Sequence, residues 1–180
     1  MSASTLRRLT KGAAFAALCL GLAGCSFLTG KSDDQPKTCP NLHLPDELSH
    51  ITRYNGAGRN YADITYSAEI VHVNGKCDDE DGGATVDVSF DLVSSIGPAA
   101  RERSTDFPYF IAVTDGSGRI LNKSVFSSPV TFPEGRSRAG WTESQQVVIP
   151  APQHGSIGSY EILVGLQPSA SEFKANLQPH

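Results

Sequence analysis

The chain has 180 residues, with 19 acidic against 15 basic side chains and a formal charge of −4. This length accommodates one domain with its own hydrophobic core. The acidic balance argues against nucleic acid as a partner and against electrostatic adhesion to anionic lipid.

The first 24 residues have the organisation of a bacterial secretory signal. Three basic side chains precede an apolar run over residues 12–22, and small residues follow it. Cys25 comes directly after Leu-Ala-Gly, and this arrangement resembles the lipobox of bacterial lipoproteins. The resemblance implies a signal peptide over residues 1–24, acylation of Cys25 at its thiol and new amino group, and a membrane anchor made of acyl chains.

Two alternatives exist for this segment. One is a secreted protein whose Cys25 pairs with another cysteine. The other is a membrane-spanning helix, but the run over residues 12–22 is about half of the ~20 residues that a bilayer requires. Since residues 1–24 contain three basic and no acidic side chains, cleavage would leave 156 residues with 12 basic and 19 acidic ones. The lipid would then have to provide the anchoring.

The four cysteines differ in their positions. Cys19 falls in the apolar run and would be removed with the signal, and Cys25 would carry the lipid. Cys39 and Cys77 remain, and an even pair in an oxidising compartment predicts a disulfide. The alternative is a metal or redox pair, but the sequence has no Cys-x-x-Cys motif and no histidine at ligand spacing.

Residues 25–37 are predicted to form a flexible tether, and residues 38–60 an extended arm. The tether is too polar to bury the apolar surface that folding requires. The arm contains Pro40 and Pro45, which prevent an uninterrupted helix. It either packs on its own domain or lies partly on another protein. The arm residues suited to contact a partner are Leu42, Leu48, Tyr54 and Arg59.

Beyond residue 60 the sequence has the pattern of short β-strands. Residues 64–70 and 86–92 alternate apolar and polar side chains, which indicates half-buried strands. Residues 107–115 are apolar on both faces, as expected of a central strand. Further strands are predicted over residues 119–126, 130–132, 145–149 and 159–166.

Turn residues separate these strands. Asn74-Gly75-Lys76-Cys77 is predicted to turn the chain, and residues 78–83 to form a polar loop. Asp115-Gly116-Ser117-Gly118 predicts a hairpin. Ser169 is a plausible start for one or two helical turns, because Glu172 follows it at capping-box spacing.

Six or seven short strands without long helical periodicity predict an all-β fold, an antiparallel β-sandwich over residues 61–180. An immunoglobulin-like or fibronectin-III-like topology is the first choice and a small barrel the second. The Cys-Trp-Cys order of antibody domains is absent, because Trp141 follows both remaining cysteines.

Residues that commonly carry chemistry form no recognisable catalytic pattern. The acidic run over residues 78–83 offers oxygen ligands for Ca²⁺, but its spacing does not match an EF-hand, so a solvated turn is the preferred interpretation. No Gly-x-Ser-x-Gly elbow is present, and the five histidines have no recognisable partners in the sequence. We therefore expect no enzymatic activity, no cofactor and no metal; a hydrolase is the least favoured alternative.

Two predicted loops carry basic residues. Arg101 and Arg103 lie in one of them, and Arg136 and Arg138 lie in the loop before Trp141. If the loops share one end of the sandwich, they would form a basic, aromatic-edged patch for a partner, since Arg and Trp are frequent hot-spot residues. The alternative is two separate, solvated loops.

A set of structural motifs runs through most of residues 25–177. They are Cys25, Cys39-Pro40, Tyr54, Gly56-x-Gly58-Arg59, Gly97-Pro98-Ala99-Ala100, Tyr109-Phe110-x-Ala112-Val113 and Gly165-Leu166-Gln167. In these motifs the chain resembles a family of small α-proteobacterial lipoproteins of unassigned function.

Cys25, Cys39-Pro40 and the stretch to Arg59 also resemble the arm of an accessory lipoprotein of the outer-membrane β-barrel assembly machinery. This resemblance implies a segment that docks on assembly proteins. The residue after the lipidated cysteine is Ser26 rather than aspartate. Under the sorting rules of bacterial lipoproteins, this implies delivery to the outer membrane. The expected function is a non-enzymatic, periplasm-facing outer-membrane lipoprotein that acts as a binding or assembly module; the alternative is a domain that binds a small ligand or glycan.

Overall fold

A computed structural model describes residues 39–80, 83–152 and 156–176. The predicted signal peptide, Cys25 and the tether lie outside these ranges. Within the ranges there are eight strands: β1 Asn41–His43, β2 His50–Tyr54, β3 Ile64–Glu80, β4 Gly83–Ile96, β5 Ser104–Thr114, β6 Ile120–Thr131, β7 Arg138–Ile149 and β8 Glu161–Leu166. The helix α1 covers Ala170–Asn176, and short 3₁₀ turns cover Asp46–Leu48, Tyr61–Asp63 and Ile157–Ser159.

The strands form two four-stranded sheets. Sheet A has the order β1-β8-β5-β6 and sheet B the order β2-β3-β4-β7. The β1–β8 pair is parallel, and the other described pairs are antiparallel. The neighbours β4–β7 and β5–β8 correspond to the B–E and C–F neighbours of immunoglobulin sandwiches. The predicted all-β sandwich is therefore confirmed: residues 61–180 contain six strands, within the predicted six or seven, and the arm adds β1 and β2.

The core lies between the two sheets. Val88 and Leu92 of β4 and Ile162 of β8 are fully buried, because the period of two turns these side chains inward and the polar ones outward. Phe90 packs edge-to-face on Tyr109 of β5, with ring centroids 5.0 Å apart.

The arm predicted over residues 38–60 contributes to both sheets. β1 pairs with β8 at the edge of sheet A, and β2 pairs with β3 at the edge of sheet B. The predicted disulfide between Cys39 and Cys77 is confirmed, with 6.1 Å between the two Cα atoms. Leu42 packs against the core and Leu48 is half-buried, so both side chains lie on their own domain.

The predicted turn at residues 74–77 is wrong, because β3 continues through it to Glu80. A bulge between Val71 and Asn74 shifts the register with β4, and His72 lies in it with a φ of 53°. The Asn-Gly pair therefore follows a bulge instead of forming a hairpin. The predicted polar loop is also too long, since β4 begins at Gly83.

Two other strand predictions change in length. The segments predicted over residues 119–126 and 130–132 form one strand, β6, and the segment over 145–149 is the end of β7. β7 was underestimated because its half-buried face includes the polar Glu143 and Gln145, which break the apolar alternation.

The hairpin predicted at Asp115 and the helix start predicted at Ser169 are both confirmed. The Asp115 carboxylate accepts hydrogen bonds from the backbone N–H groups of Ser117 and Arg119 at 3.0 and 3.1 Å. Gly118 has a φ of 80°, which glycine adopts without strain.

Candidate functional site

A cleft of about 790 Å³ opens at one end of the sandwich. β2 ends there and β5 begins there, while the loop before β5 and helix α1 close its sides. Its charged and aromatic lining residues are Arg53, Tyr54, Arg59, Tyr66, Arg101, Glu102, Asp106 and Glu172.

Arg53 of β2 joins the two sheets and α1 at the base of the cleft. Its Nη1 donates to Thr105 Oγ1 at 3.1 Å and to the Asp106 carbonyl oxygen at 2.7 Å. Its Nε donates to Glu172 Oε1 at 2.8 Å. The guanidinium carbon lies 4.9 Å from the ring centroid of Phe107, within cation–π range. Four contacts therefore fix one half-buried cation.

Glu172 is held by its own helix as well as by Arg53. Its Oε2 accepts the backbone N–H of Ser169 at 2.7 Å, and its own N–H donates to the Ser169 hydroxyl at 3.3 Å, which is a capping box. Burial by itself would raise the pKa of the Glu172 carboxyl. The hydrogen bonds from Ser169 and Arg53 outweigh burial and hold the pKa below its ordinary value. The pair is thus ionised.

Arg59 and Tyr54 form one wall of the cleft. The Arg59 guanidinium lies 4.9 Å from the centroid of the Tyr54 ring, and its Nη1 donates to the Gly58 carbonyl oxygen at 2.7 Å. Gly56 has a φ of 77°, and a Cβ on Gly58 would overlap the Asp63 carboxylate. These glycines therefore shape the turn that carries Arg59.

Tyr66 and Arg101 also line the cleft. The Tyr66 ring stacks on Phe132 at 6.2 Å, and its hydroxyl donates to the Glu102 carbonyl oxygen at 2.8 Å. This bond holds the loop that carries Arg101. Within the described ranges the exposed Arg101 side chain forms no hydrogen bond or ion pair, so its five donors can reach a ligand.

The two basic loops predicted from the sequence share this end of the sandwich. Arg103 Nε donates to the Phe132 carbonyl oxygen at 3.0 Å, and Nη2 donates to the carbonyl oxygens of Pro133 and Arg136. Arg103 therefore connects the loops. The Arg136 side chain is exposed.

Trp141 and Arg138 do not line the cleft. Trp141 is half-buried in β7, where its Nε1 donates to Ser128 Oγ at 2.8 Å and to Glu143 Oε1 at 2.7 Å. Arg138 begins β7 and lines a separate hollow of about 330 Å³ with residues such as Ser95. The cleft thus unites Tyr54, Arg59 and Arg101, but not the aromatic edge expected from Trp141.

Sequence reasoning missed Arg53, Tyr66 and Glu172. A signal was present for one of them: Ile51 is buried, and a period of two places Arg53 on the same inward face of β2. An arginine that points inward from a short strand indicates that a specific group inside the protein binds its charge. The other two residues enter the cleft from distant parts of the chain, which no local pattern reveals.

A second polar cluster lies between the sheets under Trp141. The hydroxyl of Tyr109 donates to Glu143 Oε2 at 3.2 Å and accepts from Gln145 Nε2 at 2.9 Å, and the Ser128 hydroxyl donates to the same carboxylate. Burial raises the pKa of Tyr109, and the Glu143 carboxylate raises it further. The cluster attaches edge strand β7 to sheet A.

The histidines and carboxylates of the described ranges do not assemble into a metal centre. No three His, Cys, Asp or Glu side chains within those ranges are placed to hold an ion together. His72 is exposed, and its Nδ1 lies 3.1 Å from Asp91 Oδ2. Among the described helices, none has the length and apolarity needed to cross a membrane.

Comparisons with known proteins assign no function to this chain, so a function has to be argued from the cleft. No family model matches the chain, and no curated protein matches it. A crystal structure of a DUF1425 family member from Shewanella sp. pv-4 at 1.81 Å resolution is similar, with a TM-score of 0.34 and 11% identity, over 71% of this chain and 96% of that chain. Fold and site together define an all-β sandwich with an arginine-lined cleft at one end.

Proposed function

We propose that this protein is a non-enzymatic, periplasm-facing outer-membrane lipoprotein whose sandwich is a binding module. The observation that carries the proposal is the cleft, whose lining includes Arg59 and Arg101 together with Tyr54 and Tyr66. Arginine and tyrosine are the side chains that most often supply binding energy at interfaces. The N-terminal pattern ending at Cys25 supports the lipid anchor.

The described chain enters the domain away from the cleft. It starts at Cys39, beside β1, and β1 pairs with the first residues of β8, which in turn pair with the last residues of β5. The cleft lies where β5 begins. The entry point of the chain therefore leaves the cleft uncovered.

A protein segment is the kind of partner that the cleft suits best. One face of each ring that would stack on a sugar is already covered, since Arg59 lies over Tyr54 and Tyr66 stacks on Phe132. The Arg101 guanidinium group, which has no partner within the described ranges, suits carboxylates and carbonyl oxygens. Leu42 and Leu48 pack on their own domain, so docking on an outer-membrane assembly protein would use the cleft rather than those residues.

The test is a crosslinking pull-down of the full-length lipoprotein from detergent-solubilised envelopes, read by mass spectrometry. A double variant, Arg59→Ala with Arg101→Ala, is compared with Arg136→Ala with Arg138→Ala, which removes the same charge outside the cleft. We expect a stoichiometric envelope protein with the parent and the control, and its loss with the cleft variant. Recovery of no stoichiometric protein, or equal recovery by both double variants, would contradict the proposal.

A further inference from the structure

Helix α1 places a carboxylate on the cleft arginine from outside the two sheets. Glu172 Oε1 lies 2.8 Å from Arg53 Nε, and both side chains are mostly shielded, with 21% and 23% of their surfaces exposed. The two residues are separated by 119 positions in the chain. A carboxylate bound in this way occupies the position that a ligand's carboxylate would take.

Arg53 is fixed without help from Glu172. The bonds from Nη1 to Thr105 and Asp106 and the contact with the Phe107 ring all come from β5. Release of Glu172 would therefore leave an oriented, half-buried cation in the cleft. Such a cation has lost part of its hydration and gains more from a new anion than an exposed arginine does.

The existing pair uses only part of what the guanidinium offers. One carboxylate oxygen of Glu172 accepts a hydrogen bond from Arg53 Nε, and the other accepts one from the backbone N–H of Ser169. Within the described ranges Nη2 of Arg53 has no hydrogen-bond partner. A carboxylate unconstrained by a helix cap can take Nε and Nη2 together, which is the stronger bidentate geometry.

Helix α1, which carries Glu172, is suited to move away from Arg53. α1 has seven residues, and a helix of this length depends on packing for its stability. It packs on β2 and on the 3₁₀ turn at residues 46–48. Its capping box is made within residues 169–172, so the first turn keeps its local support when the contact with Arg53 is lost.

We infer that Glu172 is a built-in competitor, and that the cleft binds an acidic peptide whose carboxylate replaces Glu172 on Arg53. This inference rests on the binding role proposed for the cleft. Arg59 and Arg101 supply two further cations for neighbouring carboxylates of the same peptide. Glu102 and Asp106, whose side chains are exposed, oppose them with two negative charges. α1 is therefore a latch that an acidic segment displaces.

The experiment uses the full-length chain in detergent micelles, a fluorescent oligoglutamate peptide and an oligoglutamine peptide as the neutral probe. Glu172→Gln is compared with Glu161→Gln, which removes the same charge from an exposed residue at the other end of the sandwich. We expect oligoglutamate to bind Glu172→Gln about ten-fold more tightly than the parent. Glu161→Gln should bind like the parent, and adding Arg53→Gln to Glu172→Gln should abolish the gain.

A second measurement on the unaltered chain keeps the test independent of how the variants fold. Because peptide and Glu172 compete, oligoglutamate at saturation should speed amide hydrogen exchange in residues 170–176. Equal affinity for parent and Glu172→Gln, an equal gain in Glu161→Gln, or unchanged exchange in the saturated parent would each overturn the latch. A partner still recovered in the envelope pull-down would then show that the binding module stands without it.

Discussion

Arg103 Nε lies 3.0 Å from the carbonyl oxygen of Phe132, and this hydrogen bond joins the loop before β5 to the loop after β6. The same guanidinium donates to the carbonyl oxygens of Pro133 and Arg136. One side chain therefore satisfies three backbone acceptors of the turn after β6. Arg101, two residues earlier, has no such contacts in the described ranges.

We predict that Arg103→Ala lowers the free energy of unfolding by about 1–2 kcal/mol, since hydrogen bonds from a charged donor are lost. Arg101→Ala is the matched control and should change stability by less than about 0.5 kcal/mol. Urea denaturation followed by fluorescence measures both variants. Equal midpoints for the two would show that Arg103 does not stabilise the loops.

The Cys39–Cys77 disulfide should stabilise the domain by restricting the unfolded chain. The two cysteines are 38 positions apart. In the chain-entropy model a loop of this size is worth about 3–4 kcal/mol. We expect Cys39→Ser and Cys77→Ser to lower the melting temperature equally in non-reducing buffer, and the double variant to lower it no further. A parent-like melting temperature for either single variant would rule out a stabilising disulfide.

Gly97 is predicted to be intolerant of any side chain. A Cβ there would overlap the backbone carbonyl of Ile64, which cannot move without disturbing the start of β3. We expect Gly97→Ala to cost more than about 2 kcal/mol. At Gly140 the nearest atom to an added Cβ is the Leu92 carbonyl oxygen at 3.6 Å, an ordinary contact. Gly140→Ala should therefore melt like the parent, and similar losses in both variants would refute the steric argument.

Tyr109 should ionise at a higher pH in the folded chain than in the unfolded chain. Its burial, with Glu143 nearby, raises the pKa of its hydroxyl above the ordinary value of 10. As the pH rises above about 10, the unfolded chain loses this proton before the folded one, so stability falls. Ultraviolet titration should show a late step in the parent that Tyr109→Phe lacks.

The control for this titration is Tyr61→Phe, because Tyr61 is 78% exposed. Tyr61→Phe should leave the late step in place. Denaturation midpoints at alkaline pH should likewise fall more for the parent than for Tyr109→Phe. A late step that survives in Tyr109→Phe would assign it to another tyrosine.

Interactions between residues close in the sequence were predictable from the sequence. The alternation over residues 86–92 predicted half of β4, and Asp115 predicted its hairpin because its carboxylate bonds backbone groups within four residues. Ser169 and Glu172 predicted the start of α1 for the same reason. The sequence did not predict the bulge at His72. The bulge shifts the pairing of β3 with β4 and interrupts the alternation of apolar and polar side chains on which the strand prediction depends.

By itself the sequence determined the all-β class, the pairing of Cys39 with Cys77 and the start of α1, since composition, elimination and local hydrogen bonds are visible in it. The cleft was decided by tertiary structure. Arg53 meets Glu172 across 119 positions. Tyr66 and Arg101 reach the same cleft because two sheets stack with these strand ends together. Such contacts depend on how the sheets pack, which no short-range pattern encodes.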